Sequence, residues 1–223
     1  MTRVIVASIL IAATFSFATE IPSGSVSGDW YSSGNPYNIN GEICINSGNT
    51  LQIHEGVVIV FRGHFKFIVN GSLIANGIES DSIKFTSSDT TIGWHSLRFF
   101  SNGNQSSLSY CIFEYGRAIG GIEDPNACGG AIFCENGSSP SISNCSIRNN
   151  WAFYKGGGIC CMHNSAPLIS NCIFYYDSTN YYSGAIHLDW GSHATIENCV
   201  IKNNYASVLS HYYLYYIFLI LVQ

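Results

Sequence analysis

Between Gly129 and Ala206 the chain writes one unit three times. Cys145, Cys172 and Cys199 stand 27 residues apart, and so do Asn144, Asn171 and Asn198, and Ile132, Ile159 and Ile186. A unit this short cannot bury an apolar face by itself, so a fixed period of this size implies a solenoid in which each copy covers the next. Each unit opens on a small-residue tetrad: Gly129-Gly130-Ala131-Ile132, Gly156-Gly157-Gly158-Ile159 or Ser183-Gly184-Ala185-Ile186. It then crosses a polar turn into Ile142-Ser143-Asn144-Cys145, Ile169-Ser170-Asn171-Cys172 or Ile196-Glu197-Asn198-Cys199.

No helical period fits these segments, whereas alternation does. Ile132 with Cys134, and Cys145 with Ile147, point one way, while Phe133 and Ser146 point the other. Three short strands per unit, broken by Gly, Asn and Ser, predict the triangular coil of a parallel β-helix. Coils in such a fold lie about 4.8 Å apart. Asn144, Asn171 and Asn198 are therefore expected to stack as a ladder of side-chain amides that satisfies turn backbone groups. On that expectation, Asn171→Leu should cost more stability than Asn150→Ser.

The tetrads, followed by Ile147-Arg148-Asn149-Asn150, Phe174-Tyr175-Tyr176-Asp177 and Ile201-Lys202-Asn203-Asn204, resemble the GGAI and FxxN repeats of chlamydial-type polymorphic outer membrane proteins. More broadly, the chain is similar to secreted right-handed β-helix proteins of the pectin-lyase-like superfamily. Ile43 to Phe61 and Phe67 to Thr86 resemble the opening coils of such proteins. The resemblance implies an all-β, single-stranded right-handed parallel β-helix of roughly five to seven coils.

Met1 to Ala18 carries one basic residue, Arg3, then the uncharged run Val4 to Phe17, and Ser16-Phe17-Ala18 ends it in small residues. This predicts a secretory signal over 1–18. Residues 19–36, polar and rich in Gly and Ser, are expected to cover the first coil as a cap, since an uncapped β-helix presents an unpaired edge. The β-helix is expected over 37–210, with an apolar tail or incomplete coil at 211–223. Tyr212 to Val222 is too short to span a bilayer, so the mature chain is expected to have no membrane span. Gly116 to Cys128 carries the residues that lengthen the step from Cys111 to Cys145 to 34, and is expected to bulge outward as a loop.

Charged residues make up 10% of the chain and the net charge is −5, with no basic stripe, so nucleic acid is not an expected partner. An extracellular polysaccharide or a surface protein is. Of the nine cysteines, Cys111, Cys145, Cys172 and Cys199 share one inward position, and Cys134 and Cys161 share another. There they act as small apolar residues, with free stacked thiols preferred over rung-to-rung disulfides. Cys44, Cys128 and Cys160 fall outside these columns. Cys160-Cys161-Met162-His163 is not a metal site, because adjacent strand residues face opposite ways. No cofactor is implied.

Pectate lyases and polygalacturonases use this coil with acids gathered over one sheet, but their Asn-Thr-Asp, paired Asp and Gly-His-Gly motifs are absent here. The outward positions of the sheet that follows each tetrad are Phe133, Cys160 and His187, none of them a carboxylate. By elimination, the catalytic candidates are Asp177, Asp189 and His187, with the two acids read more simply as solvated turn residues. His187 near His163 or His95 could form a patch. Trp151, Tyr154, Tyr176, Tyr182 and Trp190 could instead form a platform that stacks on sugars, or simply cover the flank of the solenoid. Three functions follow: a non-catalytic secreted or cell-surface module for adhesion or interaction, a carbohydrate-active enzyme, or a glycan-binding module. The absent catalytic constellation favours the first.

Overall fold

The computed structural model describes residues 18–100 and 105–207. The predicted signal, apart from Ala18, and the apolar segment 211–223 lie outside the described residues. The chain winds as a right-handed parallel β-helix with three long sheets. Sheet 1 stacks eight strands, from Thr19–Ile21 to Val200–Lys202. Sheet 2 stacks seven, from Gly24–Ser25 to Ile186–Leu188, and sheet 3 seven, from Gly28–Trp30 to Thr195–Glu197. A side sheet of four two-residue strands fills the corner between sheets 1 and 2 in the later coils: Arg117–Ala118, Trp151–Ala152, Ser178–Thr179 and Tyr205–Ala206.

Seven full coils result, with the strands at Val200–Lys202 and Tyr205–Ala206 beginning an eighth. Residues 19–36 are not a separate cap. Thr19–Ile21 pairs in parallel with Tyr37–Ile39, and Gly28–Trp30 with Leu51–Ile53, so this stretch is itself the first coil. Trp30, buried in it, stacks on Tyr37 with ring centroids 4.6 Å apart.

Register follows the period. Ile132 pairs with Ile159 and Ile159 with Ile186, while Ile142, Ile169 and Ile196 form a second column. On sheet 1, Tyr37, Ile59, Phe85, Phe113, Ile147, Phe174 and Ile201 make one continuous inward column. Like residues stacked at strand spacing pack ring on ring: Phe85 and Phe113 lie 4.7 Å apart at 14°. The cysteine columns behave as expected. Cys111, Cys145 and Cys172 are buried in the core with Cys134 and Cys161, Cys199 packs against it, and all nine thiols are free.

The expected amide ladder is displaced by six residues. Asn144, Asn171 and Asn198 take left-handed backbone at φ 53°, 54° and 52°, as does Tyr110 in the preceding coil at 49°. Asn tolerates that conformation better than other side chains with a Cβ. These asparagines are therefore corner residues: Asn171 and Asn198 are exposed, and the ladder runs through their backbone, with Asn144 N–H donating to the Ser170 carbonyl.

The rungs are Asn150 and Asp177, both buried, and Asn204, half-buried in the last coil. Asn150 Oδ1 accepts from Gly116 N–H at 2.8 Å, and its Nδ2 donates to the Phe113 carbonyl at 3.1 Å. Asn150 N–H donates to Asp177 Oδ1 at 2.9 Å, and Asp177 N–H to Asn204 Oδ1 at 2.9 Å. At Gly116 the column has no side chain, because a Cβ there would strike the Gly130 carbonyl.

The stability order expected above for positions 171 and 150 is therefore reversed. Asn150→Ala orphans several buried groups at about 1–3 kcal/mol each, whereas Asn171→Ala loses only about 1 kcal/mol for left-handed backbone. Denaturant titration should show Asn150→Ala losing at least twice as much as Asn171→Ala. Equal losses would remove the ladder from the account of stability.

Candidate functional site: an aromatic and amide strip beside the helix

The three catalytic candidates do not share a site. Asp177 is not a solvated turn residue: it is fully buried as the middle rung of the ladder. Its Oδ1 accepts from both Asn150 N–H and Nδ2, but its Oδ2 has no partner. In the neighbouring rungs the equivalent atom is an amide nitrogen donating to a sheet 1 carbonyl, Phe113 for Asn150 and Phe174 for Asn204. By register the carbonyl for Asp177 is that of Ile147. A carboxylate cannot donate, so only a protonated Asp177 completes the pattern. Burial pushes its carboxyl from 3.8 up to about 7, against the two bonds from Asn150.

Asp189 lies at the end of sheet 2 and is held by Lys155 and His187. Lys155 Nζ sits 2.5 Å from its Oδ2, and His187 Nε2 3.7 Å. The His187 hydrogen bond, with Lys155 helping against burial, holds its carboxyl well below the usual range. His187 Nδ1 meets Ser183 Oγ at 3.2 Å. One acid is therefore interior and the other is a neutralised flank residue, and they do not flank a common space. The histidines do not gather either. His163 stacks on Trp190, His95 lies beside His64, and His187 is with Asp189. Burial, followed by the Arg98 charge, pushes His95 down to about 2, which keeps it neutral.

The five aromatic candidates separate into three places. Tyr154 and Tyr182 meet edge-on at 76° in a second apolar cluster outside sheet 2, with Lys155 over both rings. Trp190 is 65% exposed on a different corner. Trp151 and Tyr176 flank the side sheet. No single coplanar platform forms, because a ring on a flank turn leans on its neighbour before it faces solvent.

The outer face of sheet 2 is closed as well. The seven residues by which the 34-residue step exceeds 27 fall between Ala118 and Cys128, since Cys128 already pairs with Lys155 in the regular register. As expected, most of the insert stands out into solvent, with Ile119 51% and Ile122 59% exposed. Its end folds back through a turn at Pro125–Ala127, capped by Asp124, and there Ala127 and Cys128 cover Phe133 and Cys160. Arg98 fastens this insert: its guanidinium donates to the Pro125 carbonyl at 2.8 Å and the Cys128 carbonyl at 3.2 Å, and lies 4.1 Å over the Phe133 ring. Burial lowers Arg98 to about 10, so it stays charged at neutral pH.

The open face that carries aromatics is the side sheet. Its outward column reads Arg117, Trp151, Ser178 and Tyr205, and the turn beside it reads Tyr115, Asn149, Tyr176 and Asn203, all four at left-handed φ. Tyr176 is 58% and Tyr205 64% exposed. Thr90, Thr91, Tyr115, Arg117, Tyr176 and Ser178 line an open hollow of about 370 Å³ here. Arg117 Nη2 donates to the Thr90 carbonyl, its Nε has no partner, and among the described residues no carboxylate pairs with it.

The sequence reading did not single out Arg117, although carrying the register back 34 residues from Trp151 would have placed it. It also missed Glu114, buried on the outside of sheet 1 between Lys84 Nζ at 2.6 Å and Arg148 Nη2 at 2.8 Å. That acid is fully committed to its partners.

Stacked parallel coils with a closed apolar interior define the class: a right-handed parallel β-helix. The chain belongs to the family described as right handed beta helix region, whose model matches residues 77–215, more than half of the chain. Comparison with curated proteins gave no significant match, and comparison with solved structures gave none.

The Asp177 rung gives a pH test. Its pKa is raised on folding, so stability falls as pH climbs from about 4, where the unfolded carboxyl ionises, to about 7, and is level above that. Asp177→Asn supplies the missing donor and removes the slope. Its thermal midpoint should exceed the wild type at neutral pH and converge with it near pH 4. A constant difference at both would show that Asp177 is ionised in the fold.

Proposed function

We propose that this chain is a non-catalytic, exported β-helix module that serves adhesion or interaction at a cell surface, with the side-sheet strip as its contact surface. The observation that carries the reading is the fate of the acids. Asp177 is a structural rung, Asp189 is neutralised by Lys155, and Glu114 is enclosed by Lys84 and Arg148, so none of these three is left to pair over a substrate. Export rests on the apolar Val4 to Phe17 run and its small-residue end.

A glycan is the ligand class the strip suits best. Trp151 and Tyr205 stand two coils apart in one column, and Tyr115 and Tyr176 two coils apart in the next, which is about 9.6 Å. Rings staggered on alternate coils, with Arg117, Ser178, Asn149 and Asn203 between them, offer stacking faces and hydrogen bonds along an extended polymer. A surface protein is the other partner this strip would accept.

The test is a glycan-array screen run beside a polygalacturonate cleavage assay on the same purified protein. Binding without cleavage is expected, and Tyr176→Ala and Tyr205→Ala should each weaken it roughly tenfold. Cleavage would sink the non-catalytic reading. Binding that survives both substitutions would move the contact surface away from the side sheet.

A further inference from the structure

The two cysteines left over by the repeat on this flank meet in space. Cys128 ends the insert, and Cys160 faces outward from the strand Ile159–Cys161. Both are fully buried in the apolar cluster outside sheet 2, beside Phe133, Tyr154 and Met162. We infer that Cys128 and Cys160 are a disulfide-forming pair that staples the insert to the outer face of sheet 2.

Three observations separate this pair from the stacked thiols inside the coil. The first is commitment. Cys145 Sγ donates to the Ser143 carbonyl and Cys172 Sγ to the Ser170 carbonyl, both at 3.2 Å, and Cys145 N–H donates to Cys172 Sγ. Those sulfurs are held side by side on adjacent strands, whereas Cys128 Sγ makes a longer contact, 3.6 Å, to the Asp124 carbonyl of the insert. The second is charge. Lys155 is the bridge partner of Cys128, and Arg98 donates to the Cys128 carbonyl, so two cations stand beside this thiol. A hydrogen bond from Cys160 and these two charges pull the Cys128 thiol below its ordinary value, whereas burial pushes Cys160 and Cys145 up. A thiolate is the attacking species in disulfide exchange, and a cationic setting is what makes one available.

The third is freedom of approach. Cys134 and Cys161 are fixed in adjacent strands of one sheet, whereas Cys128 stands where the added segment rejoins the coil, opposite Lys155. Exchange with a small-molecule disulfide of the glutathione type balances the reaction. Before the insert docks, the Cys128 thiolate attacks the small disulfide, forming a mixed disulfide and releasing one thiolate. As the insert docks, Cys160 loses its proton to the released base and attacks Cys128 Sγ, breaking the mixed disulfide and releasing the second small thiol. Two protein thiols are oxidised and one small disulfide is reduced.

The experiment starts with the unmodified chain, equilibrated in oxidised and reduced glutathione. It is then denatured with an alkylating agent, digested, and mapped by mass spectrometry without reduction. One linkage, Cys128 to Cys160, is expected, with the other seven of the nine cysteines alkylated. Alkylation of all nine would overturn the proposal. So would glutathione retained on Cys128, or a linkage within the interior columns such as Cys134 to Cys161. Reductant should then lower the thermal midpoint of the wild type by several degrees and leave Cys128→Ser and Cys160→Ser unmoved. An equal shift in all three proteins would place the stabilising bond elsewhere, and the wild-type map decides the matter should either variant fail to fold.

Discussion

Everything in this molecule depends on each coil returning to the register of the one before it. A parallel ladder pairs every backbone N–H with a carbonyl one coil away, so a corner that closes badly strands buried polar groups along a whole column. The corners are closed by residues in left-handed backbone, arranged as columns: Tyr110, Asn144, Asn171 and Asn198; Tyr115, Asn149, Tyr176 and Asn203; and Asn136, His163 and Trp190. That several are Tyr, His or Trp rather than Gly means the conformation is imposed by the stacked neighbours and not by intrinsic preference. The side-chain rungs at Asn150, Asp177 and Asn204 then tie consecutive corners together from the inside.

A solenoid tolerates an insertion because each coil contacts only its neighbours. Here the tolerance is used to build a second apolar layer. The insert between Ala118 and Cys128 leaves the ladder on both sides intact, with Arg117 still opposite Trp151 and Cys128 opposite Lys155. It places Ala127 and Cys128 over Phe133 and Cys160. Arg98 is the compromise in this layer: its donors fix the insert by two carbonyls, but its Nε is buried without a partner. Neutral carbonyl and aromatic contacts compensate a buried guanidinium less fully than a carboxylate would. The insert is thus the least strongly held part of this flank, and the cysteines beneath it are placed where a covalent bond would matter most.

The inward columns were readable because alternation and a constant 27-residue spacing leave one register in which Ile132, Ile159 and Ile186 share a face. The ladder was misplaced because the repeat holds Asn at more than one position, as at Asn144, Asn149 and Asn150 or Asn198, Asn203 and Asn204. Asn serves a left-handed corner and a buried amide rung equally well, and only backbone direction tells Asn144 from Asn150. Asp177 looked like a solvated turn acid for the same reason: its neighbours in sequence are turn residues, and its burial comes from coils 27 residues away on either side. The step of 34 located the insert but not the fold-back of its end, and Arg98 falls into the column of Phe133 only once the register is carried across that step. The strip was half visible, with Trp151 and Tyr176 evident as aromatics, but without Arg117, whose position follows only once the step of 34 is carried across the insertion.

The same geometry bears on the contact role proposed above. Hydrolysis or elimination needs two or three groups converging on one atom, and a β-helix face brings groups into parallel columns that project side by side. Convergence requires loops that lean over a face, and the insertion before Cys128 meets sheet 2 only at its end, where Ala127 and Cys128 cover Phe133 and Cys160. Columns do suit a ligand that itself repeats, because each coil adds the same contact at a fixed step of about 4.8 Å. On the side sheet the rings of Trp151 and Tyr205 and those of Tyr115 and Tyr176 repeat every second coil, held by backbone that the ladder makes rigid. A surface ordered in advance loses little entropy when it binds, so modest stacking and hydrogen bonds from successive coils can add up to recognition without any deep pocket.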